Sequence, residues 1–230
     1  MADVLSAAGR QCVRGPPDIR KGPSRMDSAQ PKRIRRGDPP QGGFDFTLHM
    51  RQLCDDMVAR LHQLGHIDMS QVAVSFAQTR RPGSLGMFAS LTPLRFADGQ
   101  MQTFRRKRRW GIQRLYGDDG REMLYVLTFY LPRFLDLPFR EKLATTLHEL
   151  WHVGPKFDGD VRRLGGRCFA HGSSQKRYDA HIEALLDRWL GFGPPPALYD
   201  FLRLHFRELV VRHGRVYGRR VPVPKLVPLD

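Results

Sequence analysis

Eight residues constrain this chain more tightly than any other stretch: Thr145-Thr146-Leu147-His148-Glu149-Leu150-Trp151-His152. On a helix, the spacing His148-Glu149-x-x-His152 sets two imidazoles one turn apart on one face, with a carboxylate beside them. Two neutral ring nitrogens so placed can hold Zn2+ at about 2.0–2.1 Å, and the Glu can take a proton from water at the metal. The chain has 9 His and, among its 23 acidic residues, only five Glu. An accidental H-E-x-x-H at those frequencies has a chance of roughly one in a hundred. Glu149 is therefore the candidate catalytic base, and His148 and His152 are the first two candidate metal ligands.

The motif needs a helix, and residues 136–153 supply one. Pro138 suits a first helical turn, where its missing N–H costs nothing, and Asp136 stands ready to cap that turn. Phe139, Leu143, Leu147 and Leu150 recur at helical spacing and form an apolar stripe opposite the two histidines. The spacing thus predicts a buried back and a polar front. Ala144 and Thr145 are small and leave room above a metal. Gly154-Pro155 ends the helix just past the second His.

Residues 1–43 are rich in Arg, Lys, Pro and Gly, carry no apolar period, and read as a disordered basic arm. Met26 is an alternative translation start, and Lys32-Arg33-Ile34-Arg35-Arg36 reads as a solvated run of charge. A single domain over 44–212 follows. Phe46, Met50, Leu53, Met57, Leu61 and Leu64 predict a helix that Gly65 stops. Strands are expected over 72–76, 85–96 and 100–112, separated by turns at Arg81-Pro82-Gly83-Ser84 and Asp98-Gly99. A further strand over 123–131 is a continuous apolar run, as suits the centre of a sheet. Beyond the motif come a Gly-rich loop over 154–172 and a helix over 174–190, with Tyr178, Ile182, Leu185 and Trp189 as its buried stripe. A second helix is expected over 197–211. Residues 213–230, with Arg215, Arg219, Arg220, Lys225 and three prolines, read as an extended basic surface tail. The pattern is α+β: an N-terminal helix, a small three- to four-stranded sheet, the H-E-x-x-H helix, and further C-terminal helices.

A formal charge of +15 and a pI near 10.5 point to nucleic acid, an anionic surface or an acidic partner. Arg105-Arg106-Lys107-Arg108-Arg109 is the densest charge in the domain. These five residues are candidates for contact with nucleic acid, with Phe104 or Trp110 available to stack on a base. The competing reading is an edge strand protected from aggregation by its charges. Cys12, Cys54 and Cys168 are isolated and include no C-x-x-C pair, which argues for a reducing compartment and against a cysteine-based zinc module. No apolar run approaches a membrane span, and the N-terminus has no signal-peptide pattern. The sequence therefore predicts an intracellular, cytoplasmic protein with no membrane partner.

A catalytic zinc site takes three protein ligands and keeps one position open. His171, in Phe169-Ala170-His171-Gly172, ranks first as the third ligand, because a glycine-flanked loop lets its side chain turn back to the motif. Two alternatives remain open: Asp158, six residues after His152, and Glu183, on the following helix and off its apolar stripe. Asp160, like Asp158 and Asp179, is a candidate to accept a ligand's distal N–H. Tyr178, His181 and Arg167 are candidates to stabilise a developing oxyanion.

The order of helix, small sheet, H-E-x-x-H helix, and loop ending in His-Gly before another helix resembles the SprT-like minimal zincin peptidases. Leu147 to His152, with Phe157-Asp158-Gly159-Asp160 and Ala170-His171-Gly172, is similar to the phage metallopeptidases of bacterial and phage genomes, and the likeness covers residues 44–190. It implies a zincin-like fold, Zn2+ held by His148, His152 and His171, Glu149 as general base, and a protein or peptide substrate. The chain departs from SprT-like enzymes in a longer loop between the second and third His. It also lacks a downstream cysteine zinc ribbon, so contact with nucleic acid falls to the basic segments.

Overall fold

The computed structural model describes residues 30–34, 40–79, 86–163 and 175–229. In chain order these form β1 (Lys32–Arg33), β2 (Phe44–Asp45), α1 (Phe46–Arg60), β3 (Val72–Gln78), β4 (Ala89–Pro93), β5 (Gln102–Arg105) and β6 (Arg108–Ile112). There follow β7 (Leu115–Tyr116), β8 (Tyr125–Leu131), α2 (Phe139–Trp151), α3 (Gln175–Gly191), α4 (Phe206–His213), β9 (Val216–Tyr217) and β10 (Leu226–Pro228). The protein is α+β, with several small sheets rather than one large one. Among the described residues no helix is long and apolar enough to cross a membrane.

The main sheet has the order β3-β8-β4, with β3 parallel and β4 antiparallel to the central strand. The apolar run of β8 takes the central place expected of it: Tyr125, Leu127 and Phe129 are fully buried. Helix α1 is capped by Asp45, whose carboxylate accepts from Leu48 N at 3.0 Å. Its inner face carries Phe46, Met50, Leu53 and Met57, and the Phe46 ring meets Phe129 edge-on at 5.8 Å. Leu61 and Leu64 keep the apolar period and are buried, although the chain tightens there into a 3-10 turn over His62–Leu64. On α3 the stripe Tyr178, Ile182, Leu185 and Trp189 is buried as its spacing predicts, and the Trp189 indole N–H donates to Asp56 Oδ1 at 2.8 Å.

Several expectations give way to tertiary context. Pro138, not Asp136, is the N-cap of α2. The Asp136 carboxylate instead accepts from Phe206 N at 3.3 Å, at the start of α4. Helix α2 has no open polar front: Lys142 through Leu150 are all buried, because α1, α3 and β4 pack around it. The strand expected over 100–112 is folded back on itself as the antiparallel hairpin β5-β6. The helix expected over 197–211 is two 3-10 turns, Pro196–Leu198 and Asp200–Arg203, followed by α4.

The tails are also more engaged than their charge suggested. Strand β1 pairs parallel to β7, and Ile34 joins a second, smaller core with Leu94, Phe96, Ile112 and Leu115. At the other end β9 pairs with β2, and β10 adds to β6 with Val227 buried. The physical reason is that each segment holds only short apolar stretches, Ile34 at one end and Val216-Tyr217 and Leu226-Val227 at the other, which suffice for a short strand but make no long apolar period. Residues 1–29 of the expected arm, with Arg35 and Arg36, lie outside the described residues.

One charged side chain holds α2 in place. Lys142 is 1% exposed, and its Nζ donates to the carbonyls of Leu202 at 2.8 Å and Leu204 at 2.9 Å. Burial pushes its ammonium down to about 8, against the opposing pull of Asp136 and Glu208. Replacing Lys142 with Ala leaves a cavity and two carbonyls without their donor. A loss of about 3 kcal/mol in urea unfolding at neutral pH is expected, and an unchanged midpoint would contradict this role.

Candidate metal centre

The motif histidines converge. His148 Nε2 and His152 Nε2 are 3.0 Å apart, with the rings 4.7 Å between centroids and nearly perpendicular at 85°. Two nitrogens bound at about 2.0–2.1 Å to one tetrahedral ion stand about 3.3 Å from each other. The donors thus fit a shared Zn2+ with a shift of a few tenths of an ångström. His152 is the C-cap of α2, so its ring swings from the last turn toward the first His. Tyr178 of α3 backs the pair: its ring lies 4.9 Å from that of His148 and nearly parallel to that of His152 at 5.8 Å. Its hydroxyl donates to the His148 carbonyl at 3.5 Å. Burial and the Glu149 charge raise the Tyr178 pKa, so the hydroxyl keeps its proton.

Glu149 faces the sheet. Leu91 N–H of β4 donates to its Oε2 at 2.8 Å. The register explains why that amide is available. Tyr130 N bonds Phe88 O and Leu94 N bonds Leu124 O, so even-numbered residues of β4 turn their backbone groups to β8. Odd-numbered ones turn outward, toward α2. Glu149 is 2% exposed, and burial pushes its carboxyl up to about 8, with the Leu91 N–H pulling the other way. No side-chain pattern marks Leu91, since its contribution is a backbone amide. The available signal was the expectation of a strand over 85–96.

The loop after the motif folds back under the site. Gly154 N bonds Asp160 O, Val153 bridges to Val161, and Arg162 N bonds the His152 carbonyl at 2.8 Å. Tyr125 of the central strand clamps this loop, its hydroxyl donating to Asp160 O at 2.7 Å and accepting from Gly159 N at 3.1 Å. Gly159 is required here: its φ is +87°, and a Cβ would lie 2.5 Å from Arg95 Cγ. Arg162, which sequence reasoning did not single out, bonds Trp151 O through Nε and lays its guanidinium 3.9 Å from the Trp151 ring.

The remaining candidates divide. Asp160 is engaged by Asp98 N, Val161 N and a two-pronged pair with Arg163. Asp158 accepts from Asp160 N and packs on Gly99. Both carboxylates therefore build the loop. Glu183 pairs with Arg140 at 2.7 Å, and Arg140 lies about 12 Å along α2 from His148. His181 packs its ring on Trp151 at 4.4 Å, and burial and Arg162 lower its pKa. His171 and Arg167 lie outside the described residues. Among the described residues no three His, Cys, Asp or Glu gather into a group that could hold a metal ion. In this structure Asp158 and Glu183 are not gathered with His148 and His152.

The five cations form a separate exposed cluster at the tip of the β5-β6 hairpin. The turn residues Arg106 (φ 49°) and Lys107 (φ 63°) are both left-handed, a two-residue turn for which Asn-Gly is the usual choice. An L side chain there costs about 1–2 kcal/mol. Comparison of the chain with protein-family models, curated proteins and solved structures finds no match.

The buried carboxyl has a consequence for stability. Its pKa rises from 4.5 to about 8 on folding, so between those values the folded chain holds a proton that the unfolded chain has released. The associated stability is fully present below 4.5 and is lost as pH rises through about 8. In chelator-treated protein, Glu149→Gln should remove this slope and be more stable than wild type at pH 8–9 by more than about 1 kcal/mol. Parallel pH profiles in urea unfolding would refute the assignment.

Proposed function

We propose that this chain is a zinc-dependent metallopeptidase of the zincin type, holding Zn2+ through His148, His152 and His171 and using Glu149 as general base. The observation that carries this reading is the convergence of two imidazole nitrogens, 3.0 Å apart, beside a buried carboxylate on the same helix. Zinc held by these ligands would supply a Lewis acid for the scissile carbonyl and would lower the pKa of a bound water toward about 7. Glu149, on the same helix as the two histidines and held by the Leu91 N–H, would take a proton from the attacking water and return it to the leaving amine. Leu91 N–H fixes the carboxylate through one oxygen. Tyr178 supports the pair, with its ring against both histidines and its hydroxyl bonded to the His148 carbonyl.

A second reading, a nucleic-acid-binding protein with a structural zinc, draws on the exposed cationic hairpin. Elemental analysis and peptide hydrolysis separate the two. Wild type should carry stoichiometric zinc, and His148→Ala, His152→Ala and His171→Ala should each lose it, while Asp158→Ala and Glu183→Ala should keep it. Glu149→Gln should retain zinc and lose hydrolysis by about 10²–10⁴-fold. Full activity in metal-loaded Glu149→Gln refutes the general base. Zinc-bound wild type that hydrolyses no peptide favours the second reading.

A further inference from the structure

We infer that the β5-β6 hairpin is a binding site for single-stranded nucleic acid, with Arg105, Arg106, Lys107 and Arg108 on phosphates and Phe104 stacked on a base. The inference is independent of the peptidase reading and starts from charge that the fold does not balance. Between Asp98 and Asp118 the chain has no acidic residue. Several cations elsewhere are matched: Arg95 and Arg114 with Glu122, Arg140 with Glu183 and Asp187, Arg163 with Asp160, and Arg219 with Asp118. Among the described residues no carboxylate forms an ion pair with Arg105, Arg106, Lys107 or Arg108. The register makes the repulsion direct, because Arg105 stands opposite Arg108 across the hairpin and like charges so placed destabilise a strand pair. A bound polyanion relieves this repulsion.

The aromatic residue selects the kind of polyanion. Phe104 is 70% exposed and is the cross-strand partner of Arg109, so ring and guanidinium lie on one face. A flat apolar ring beside a cation suits an unpaired base, whose π-face is open. In a duplex that face is covered by its neighbours, and an acidic peptide has none. The platform is firmly held: β10 pairs along the other side of β6 with Pro228 opposite Trp110, and Ile112 anchors the strand in the second core. The tip carries Arg106 and Lys107 where turn geometry favours Asn-Gly, so cations occupy the most projecting position at the expense of the turn.

That last feature supplies a fold-safe test. The double variant Arg106→Asn/Lys107→Gly improves the turn while deleting two cations, and Phe104→Ala removes a ring that is mostly in solvent. Binding of the full chain to labelled oligothymidylate is measured by fluorescence anisotropy over a salt series, beside a duplex and a poly-glutamate. The double variant should keep or raise its thermal midpoint and reduce the slope of log K against log salt by about 1.4, two phosphate contacts at about 0.7 each. Phe104→Ala should weaken oligothymidylate binding about tenfold with the salt slope unchanged. Wild-type affinity and slope in both variants would overturn the site. Duplex or poly-glutamate bound as tightly as oligothymidylate would overturn the single-strand assignment.

Discussion

The hydrogen bond from Leu91 N–H to the Glu149 carboxylate, 2.8 Å long, joins the main sheet to the helix that carries the histidines. Each partner solves the other's problem. An edge strand exposes amides that the ladder does not satisfy, and one of these, once covered by a helix, is costly without an acceptor. A carboxylate inside the same interface is costly without a donor. One donor does not cancel full desolvation, and the outcome is a carboxyl whose affinity for a proton lies near neutrality. That balance depends on α2 being held rigidly on its other sides. Tyr178 does this behind His148, Lys142 does it six residues earlier on the helix, and the loop from Val153 to Val161 does it beneath His152.

What could be read from the sequence was the part written in periodicity. The apolar stripes of α1, α2 and α3 and the pairing of His148 with His152 follow from spacings of three, four and seven residues, which local geometry enforces, and the central position of β8 follows from its unbroken apolar run. The parts that could not be read involve partners remote in sequence or backbone groups with no residue signature. Asp136 looked like the cap of the helix two residues ahead and instead meets Phe206. Asp158 and Asp160 have ligand chemistry, yet their oxygens are engaged by backbone amides and Arg163. Leu91 contributes through an amide that any residue but proline would supply. The termini misled for a related reason: Ile34 stands alone among cations and Leu226-Val227 is a short apolar pair between Lys225 and Pro228, and only the burial of Ile34 and Val227 reveals why they matter.

The hairpin broke a local rule. A turn of Arg106-Lys107 carries none of the Asn, Asp or Gly that announce two left-handed residues, so the segment read as one continuous strand. Places where chemistry overrides local preference are where natural chains put function, and the cost is carried by the surrounding fold. Here the support is β10, drawn from a C-terminal segment that composition alone describes as a tail.

The candidate centre and the hairpin share a foundation. The turn that leads from β4 into β5 is docked on the loop that follows the histidines: Arg95 N bonds Gly159 O at 3.1 Å, Asp98 N bonds Asp160 Oδ2 at 3.0 Å, and Gly99 lies against Asp158. Strand β4, one end of this connection, carries the amide that orients Glu149, and β5, the other end, carries Phe104 and Arg105. Packed contacts and paired hydrogen bonds resist continuous deformation. Force applied at the hairpin base is therefore borne by the same residues that set the position of the loop under His152. Asp158, an alternative third ligand, and Asp160, a candidate acceptor for a ligand's distal N–H, fasten the loop of the candidate catalytic helix to the root of the basic hairpin.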